Sequence, residues 1–454
     1  MNDPNGVCQV DGRFHLFYQH NPHAPVHGTI HWGHASSVDL FHWCDEPIAL
    51  APGPDGPDRD GCYSGVLVMD NDVPTIIYSG IADGRTVPCL ATGSRDLRHW
   101  TKATPLALFE PPADLDLIGF RDHSVWQDSD GLWHQLVGAG LRGQGGAALQ
   151  YASDDLRTWR YLGPLIVGDA SQSDPIWTGT MWECVDFFPL YGRHVMLFSA
   201  WTNDGYTLSS GQAIGTLYMV GDLEGDVFVP ERTDYLDHGG TCFYAPQSFW
   251  DESGRRILWG WLMEERPVAD QQEAGWSGVM GLPRQLSLTD AGLLAVRPVD
   301  EVESLVIGTT VHSARPGDDL LLDASRPCRL RIASQADHSY SVQLLADDGP
   351  VWIITLDGLS REVVVSRDTD HSGNVTGAKR FAIPVTTDRA VTNLEVYLDN
   401  TTLEVFVDSA SALSTRIYPG RGPKRISVSS WGDAPVIVGQ DDLAPAMAAA
   451  REAS

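Results

Sequence analysis

The unit Ser37-Val38-Asp39-Leu40-Phe41-His42-Trp43 returns as Ser94-Arg95-Asp96-Leu97-Arg98-His99-Trp100 and again as Ser153-Asp154-Asp155-Leu156-Arg157-Thr158-Trp159. Asp39 and Asp96 are 57 residues apart, and Asp96 and Asp155 are 59. A repeat of that length decides architecture before local propensity does, and about 58 residues suits one four-stranded propeller blade with generous loops. The S-x-D-L-x-x-W unit then reads as a turn between outer strands, its Leu and Trp packing between blades. A degenerate fourth copy lies at Gly221-Asp222-Leu223. At about 58 residues per blade, the chain up to residue 295 holds five blades, inside the range of four to eight.

The rest of the chain agrees with an all-β reading. Short alternating or apolar runs are separated by Gly, Pro, Asp and Asn, and no stretch sustains a 3.6-residue period before the Ala-rich end. Thirteen of the fifteen tryptophans precede residue 300. Beyond Arg297-Pro298 come runs spaced as in an antiparallel sandwich, among them Leu320 to Leu322, Ser339 to Ala346, Val351 to Leu356, Leu394 to Leu398 and Leu403 to Val407. The expected organisation is a five-bladed β-propeller over residues 1–300, a C-terminal β-sandwich over 315–440 and a tail over 441–454, helical or frayed.

Composition narrows the partners. With 31 Lys+Arg against 60 Asp+Glu the formal net charge is −29, a field that repels phosphate backbones and anionic lipid heads and leaves neutral ligands such as sugars favoured. Nucleic acid and membrane partners are not expected, and no run is long and apolar enough for a membrane helix. The seven cysteines are scattered and never in a C-x-x-C spacing, so neither a disulfide framework nor a zinc site is indicated.

Three acids stand in tight, non-repeating settings in different presumed blades. Asp3 lies in Asn2-Asp3-Pro4-Asn5-Gly6, which read alone is turn chemistry before a strand at Val7 to Val10. Asp122 follows Arg121 in Phe120-Arg121-Asp122-His123, which read alone is an ion pair at a strand start. Glu183 sits between Trp182 and Cys184-Val185, a setting whose desolvation would raise a carboxyl toward the proton affinity of a general acid. Innermost propeller strands converge on one axial mouth, so three carboxylates there suggest glycosidic chemistry.

These segments resemble glycoside hydrolase family 32, the invertases, fructan hydrolases and related fructosyltransferases. Asn2 to Gly6 is similar to the family's opening motif, Phe120-Arg121-Asp122 to its R-D-P motif and Trp182-Glu183-Cys184 to its E-C motif. Phe14 to Asn21, Trp32 to Ala35, Cys62 to Gly65, Phe243 to Gln247, Gly275 to Arg284 and Leu403 to Val407 resemble further family segments in the expected order. The resemblance implies a retaining hydrolase that releases terminal fructose from sucrose or short fructans without metal or organic cofactor. Asp3 would be the nucleophile, Glu183 the acid and then base, and Asp122 the holder of fructose hydroxyls, with Arg121 orienting Asp122. Asn2, Gln19, Tyr63, Ser64 and Trp276 match positions lining the fructose pocket. Glu183, in the most apolar setting, is expected to be the acid that stays protonated.

The chain departs from the family where His123 replaces the usual Pro, where Val185 stands at another common Pro, and at His27, where many bacterial members carry a rim Trp. His123 reads as a tolerated loop residue, with a charge that tunes Asp122 or Glu183 as the sharper alternative. Rival readings are a fructosyltransferase, a levan- or inulin-specific fructan hydrolase, an inverting arabinan-type hydrolase and an inactive carbohydrate-binding propeller. Localisation stays open: cytoplasmic if Met1 is the true start, secreted if a signal peptide precedes it.

Overall fold

The computed structural model describes residues 1–202, 212–346, 349–367, 379–386, 390–418, 424–431 and 434–445. Five antiparallel sheets built in chain order make up the first part. The first four contain β1 (Asn2–Val10), β2 (Arg13–His20), β3 (His31–Ser37) and β4 (Trp43–Asp45); β5 (Gly61–Asp70), β6 (Val73–Ala82), β7 (Arg85–Gly93) and β8 (Trp100–Ala107); β9 (Leu117–Gln127), β10 (Trp133–Leu141), β11 (Gly145–Ser153) and β12 (Arg160–Val167); and β13 (Met181–Leu190), β14 (Arg193–Thr202), β15 (Gln212–Glu224) and β16 (Val227–Tyr235). The fifth holds β17 (Phe243–Trp250) and β18 (Arg256–Leu262), then, after the short helix α1 (Val268–Ala274), β19 (Val279–Met280), β20 (Arg284–Leu288) and β21 (Leu294–Pro298). Among the described residues no helix is long and apolar enough to cross a membrane.

The repeat occupies the β3–β4, β7–β8 and β11–β12 connections. In the first and third copies the Asp carboxylate accepts the two backbone N–H groups after the Leu, as Asp155 does from Arg157 at 2.8 Å and Thr158 at 2.7 Å, while in the second Asp96 accepts Arg98 N–H at 3.2 Å and the Ser94 hydroxyl takes His99 N–H at 3.0 Å. Leu40, Leu97 and Leu156 take left-handed φ values of 68°, 60° and 60°, which cost a branched residue on the order of 1 kcal/mol. That cost is offset locally: each Leu side chain is buried, and its carbonyl accepts the indole N–H of the repeat's own Trp at 2.9, 2.9 and 3.0 Å. The copy at Gly221-Asp222-Leu223 belongs to the end of β15, with Asp222 taking Arg193 Nε at 2.9 Å, and forms no such turn.

Central strands are buried on both faces, which is why β11 (GGAALQYAS) is small and apolar with no alternation. Gly146 is required there, since a Cβ would come within 2.1 Å of the Trp182 indole. Trp182 itself is fully buried among Leu136, Ala148, Phe198 and Phe228.

The second unit comprises Asp237–Cys242 and the described residues from Ala295, the first Met1–Leu236 and Phe243–Leu294. Two six-stranded sheets form it, one ordered Val306–Ala314, Val436–Leu443, Cys328–Gln335, Val391–Asp399, Thr402–Val407, Ser411–Arg416, the other Asp319–Asp323, Arg425–Trp431, Ser339–Ala346, Gly349–Asp357, Glu362–Arg367, Lys379–Pro384. Both contribute to one core, with Leu330, Ile332, Val396 and Val438 from the first and Val342, Ile354, Val365 and Val428 from the second. The strands alternate in burial, as a sheet with one dry face must. A tail beginning at 441 is corrected: Val436–Leu443 is a strand, fixed by the buried Asp441, which accepts Arg329 Nε at 2.7 Å and Arg331 Nε at 2.8 Å. The Ala-rich residues 446–454, expected to be helical or frayed, lie outside the described residues.

Candidate active site

The first strand of each of the five sheets breaks register, at Asn5/Cys8 in β1, Cys62/Gly65 in β5, Arg121/His123 in β9, Glu183/Asp186 in β13 and Tyr244/Gln247 in β17, with a second break at Asn2/Pro4 in β1 and at Leu117/Gly119 in β9. Such bulges re-aim side chains and leave backbone groups unpaired. Gly6, Asp122, Cys184 and Ala245 carry the left-handed residue at φ 51°, 61°, 50° and 53°. The freed N–H groups are captured by side chains: Asp122 N–H by Ser79 Oγ at 2.9 Å, Cys184 N–H by Asp122 Oδ2 at 3.0 Å, Ala245 N–H by Ser199 Oγ at 2.9 Å and Val7 N–H by Gln247 Oε1 at 3.1 Å. Asp3 and Asp122 therefore stand within strands at irregularities; the turn before a strand expected for Asp3 and the strand start expected for Asp122 are both corrected.

Asp3, Asp122 and Glu183 line one cavity of about 530 Å³ together with Asn2, Gln19, Tyr63 and Arg121. Asp3 accepts Asn2 Nδ2 at 3.1 Å, Gln19 Nε2 at 3.0 Å and the Ser64 hydroxyl at 2.6 Å. Burial raises its proton affinity and the nearby Glu183 charge adds to the rise, against the pull of Ser64 and Asn2. Asp122 is pushed up to about 7, chiefly by burial and then by the charge of Glu183, with Arg121 opposing. Glu183 receives Arg121 Nε at 2.7 Å, a second bond from Arg121 Nη2, and the Tyr244 hydroxyl at 2.6 Å. Arg121 stays charged because Glu183 and Asp122 outweigh its own burial.

Several expectations change here. Glu183 is not in an apolar setting: the Arg121 guanidinium and the Tyr244 hydroxyl both bond it. Arg121 bonds Glu183 and reaches Asp122 only through its charge. Ser64 stands behind Asp3, bonded to it, outside the cavity lining. Trp276 does not form the wall; its ring is partly exposed, with the Arg266 guanidinium 4.0 Å from its centre. The apolar wall comes instead from Val26, Ile30, Trp201, Trp261 and Met263. His123 is a strand residue, buried and held neutral, its affinity for a proton pushed down to about 3 by burial, so neither the loop nor the charge reading holds. His27 lines the cavity with Nε2 3.3 Å from the Tyr63 hydroxyl. Tyr244, within the resembling segment Phe243 to Gln247, joins the site through its bond to Glu183, a role that the sequence alone does not mark.

The N-terminal domain of glycosyl hydrolases family 32 matches residues 1–298, and the family's C-terminal domain matches 315–439. The chain belongs to glycoside hydrolase family 32. Over 449 residues it is 37% identical to a sucrose-6-phosphate hydrolase of Escherichia coli, covering 94% of this chain and 89% of the relative. A raffinose invertase of Escherichia coli is 35% identical, with 96% and 90% covered. Among solved structures, the family 32 β-fructofuranosidase of Bombyx mori superposes with a TM-score of 0.83 at 27% identity, over 99% of this chain and 92% of that one. A fructan 1-exohydrolase of Cichorium intybus in complex with 1-kestose gives 0.82 at 25% identity, over 98% and 95%. The family 32 enzyme described here is thus a glycoside hydrolase of the β-fructofuranosidase type.

Proposed function

We propose that this family 32 enzyme releases terminal β-fructofuranosyl units from sucrose or short fructans with retention of configuration. The observation that carries the reading is the convergence of Asp3, Asp122 and Glu183, from β1, β9 and β13, on one cavity, each held by side-chain or backbone donors. Asp3 attacks the fructosyl C2 as the bond to the leaving oxygen breaks, and Glu183 delivers the proton that oxygen needs. Water, deprotonated by Glu183, then releases fructose from the Asp3 ester. Asp122 holds the fructose hydroxyls, and Asn2, Gln19 and Ser64 hold Asp3 itself. Free Asp122 retains its proton to about pH 7, which gives the cluster a proton to share near neutrality. A neutral sugar also suits the net charge of −29, and about 530 Å³ is room for a disaccharide or somewhat more.

The same proposal takes the five sheets as blades of a five-bladed propeller spanning residues 1–300, with the sandwich over 315–440 contributing no acid. In its favour, the first strand of each sheet lies against that of the next, and β17 lies against β1. Gln247 supports this too, accepting Val7 N–H from β1 at 3.1 Å and donating to Gly65 O of β5 at 3.0 Å.

The test is a time course with sucrose, 1-kestose, inulin and levan, resolving products by chromatography. Equal glucose and fructose from sucrose is the expected result. Fructose from polymers alone would make the enzyme a fructan hydrolase, glucose in excess with new oligosaccharides a transferase, and no product from any substrate would overturn the reading.

A further inference from the structure

Asp122 depends on a side-chain chain that runs away from the cavity. Its backbone N–H, freed from the ladder by the bulge in β9, is taken by Ser79 Oγ of β6 at 2.9 Å. Ser79 Oγ in turn lies 3.1 Å from His123 Nε2, and His123 Nδ1 lies 2.8 Å from Gln135 Nε2 of β10. Ser79, Asp122, His123 and Gln135 are all buried. A buried chain of hydrogen bonds resists displacement, because breaking any member strands polar atoms in a low-dielectric interior.

Both ring nitrogens of His123 are spoken for, and the ring is neutral at any working pH. A proline in its place could make neither bond. Ser79 would then lose the partner that keeps its hydroxyl under the Asp122 amide, and the left-handed φ of 61° at Asp122 would lose its latch. The strain is stored at the residue whose carboxylate also fastens Cys184 N–H, so in this chain the bond from Ser79 holds a residue on which a second bulge leans.

We infer that His123 and Ser79 are positioning residues that fix the Asp122 carboxylate for substrate, a role resting on the assignment of Asp122 to fructose binding. Misplacement by about 1 Å is enough to cost on the order of a hundredfold in rate.

The test compares Ser79→Ala, His123→Phe, their double variant and His123→Gln with wild type on sucrose, alongside Asp122→Asn. Expected are losses of about tenfold to a hundredfold in kcat/KM for each single variant, no further loss in the double variant, and partial recovery in His123→Gln, whose amide can still reach Ser79. The pH profile above pH 4 should keep its shape, since a neutral His123 contributes no ionisation there. A folded Ser79→Ala or His123→Phe protein with kcat/KM within twofold of wild type would overturn the inference, as would losses that simply add. If Asp122→Asn is itself unaffected, the assignment of Asp122 fails instead.

Discussion

Asp122 Oδ2 accepts the backbone N–H of Cys184 at 3.0 Å, so the carboxylate that leaves one bulge fastens the next. Glu183 immediately precedes that amide. Two acids 61 positions apart in the chain are thereby tied by one bond, and a change at Asp122 is transmitted to the backbone that carries Glu183. The three acids stand on strands tied by such a sheet-to-sheet latch, and side chains on strands hold catalytic geometry more tightly than side chains on loops do.

The covalent role proposed for Asp3 gives the most severe expectation. Asp3→Asn keeps the size of the side chain and can still bond Ser64, so the fold should survive by circular dichroism and thermal melting. Turnover of sucrose should fall by at least ~10⁴-fold, as for loss of a nucleophile elsewhere. A freshly purified variant with near wild-type activity would remove Asp3 from the mechanism.

Glu183 is tested through the leaving group. Protonation matters most when the departing oxygen is strongly basic, so Glu183→Gln should lose about 10²–10⁴-fold on sucrose and much less on an activated aryl fructoside. Equal losses on the two substrates would show that Glu183 does not protonate the leaving group.

Asp122 links the site to stability. Its folded-state affinity for a proton is raised from 3.8 to about 7, so between those values the folded protein binds more protons than the unfolded chain and stability falls as pH rises. Above about pH 7 this contribution is flat, and below 3.8 the group is neutral in both states. Asp122→Asn removes the effect. Its melting temperature should gain on wild type progressively from pH 4 to pH 7 while activity is lost, and a constant difference across that window would contradict the burial-driven shift.

How much of this was legible follows from where the determinants lie. The repeat turns could be read because Ser, Asp, Leu and Trp bond one another within seven residues, so the sequence window holds the whole interaction. The setting of Glu183 could not. Its sequence neighbours Trp182 and Val185 point into the core, while its bonding partners Arg121 and Tyr244 come from other sheets, about sixty residues away on either side. Likewise Asp-Pro-Asn-Gly is turn chemistry in isolation, yet pairing with β2 extends it into strand and the turn tendency survives only as the left-handed Gly6. Trp276 resembled a pocket residue by order along the chain, but Trp201 and Trp261 occupy the wall.

The repeat itself supplies a prediction separable from catalysis. Asp155 accepts two backbone amides and the Ser153 hydroxyl, and these bonds hold its proton affinity below the ordinary 3.8. Asp155→Ala strands the two amides at a turn whose Leu156 already sits at φ 60°. Loss of such a cap costs about 1 kcal/mol, which should appear as a fall of a few degrees at most in melting temperature at pH 7 with kcat and KM unchanged. Because a lowered carboxyl stabilises only while ionised, the difference from wild type should shrink as pH drops below 3.8. A melting temperature equal to wild type at pH 7 would mean that Leu156 and Trp159 hold the turn without the aspartate.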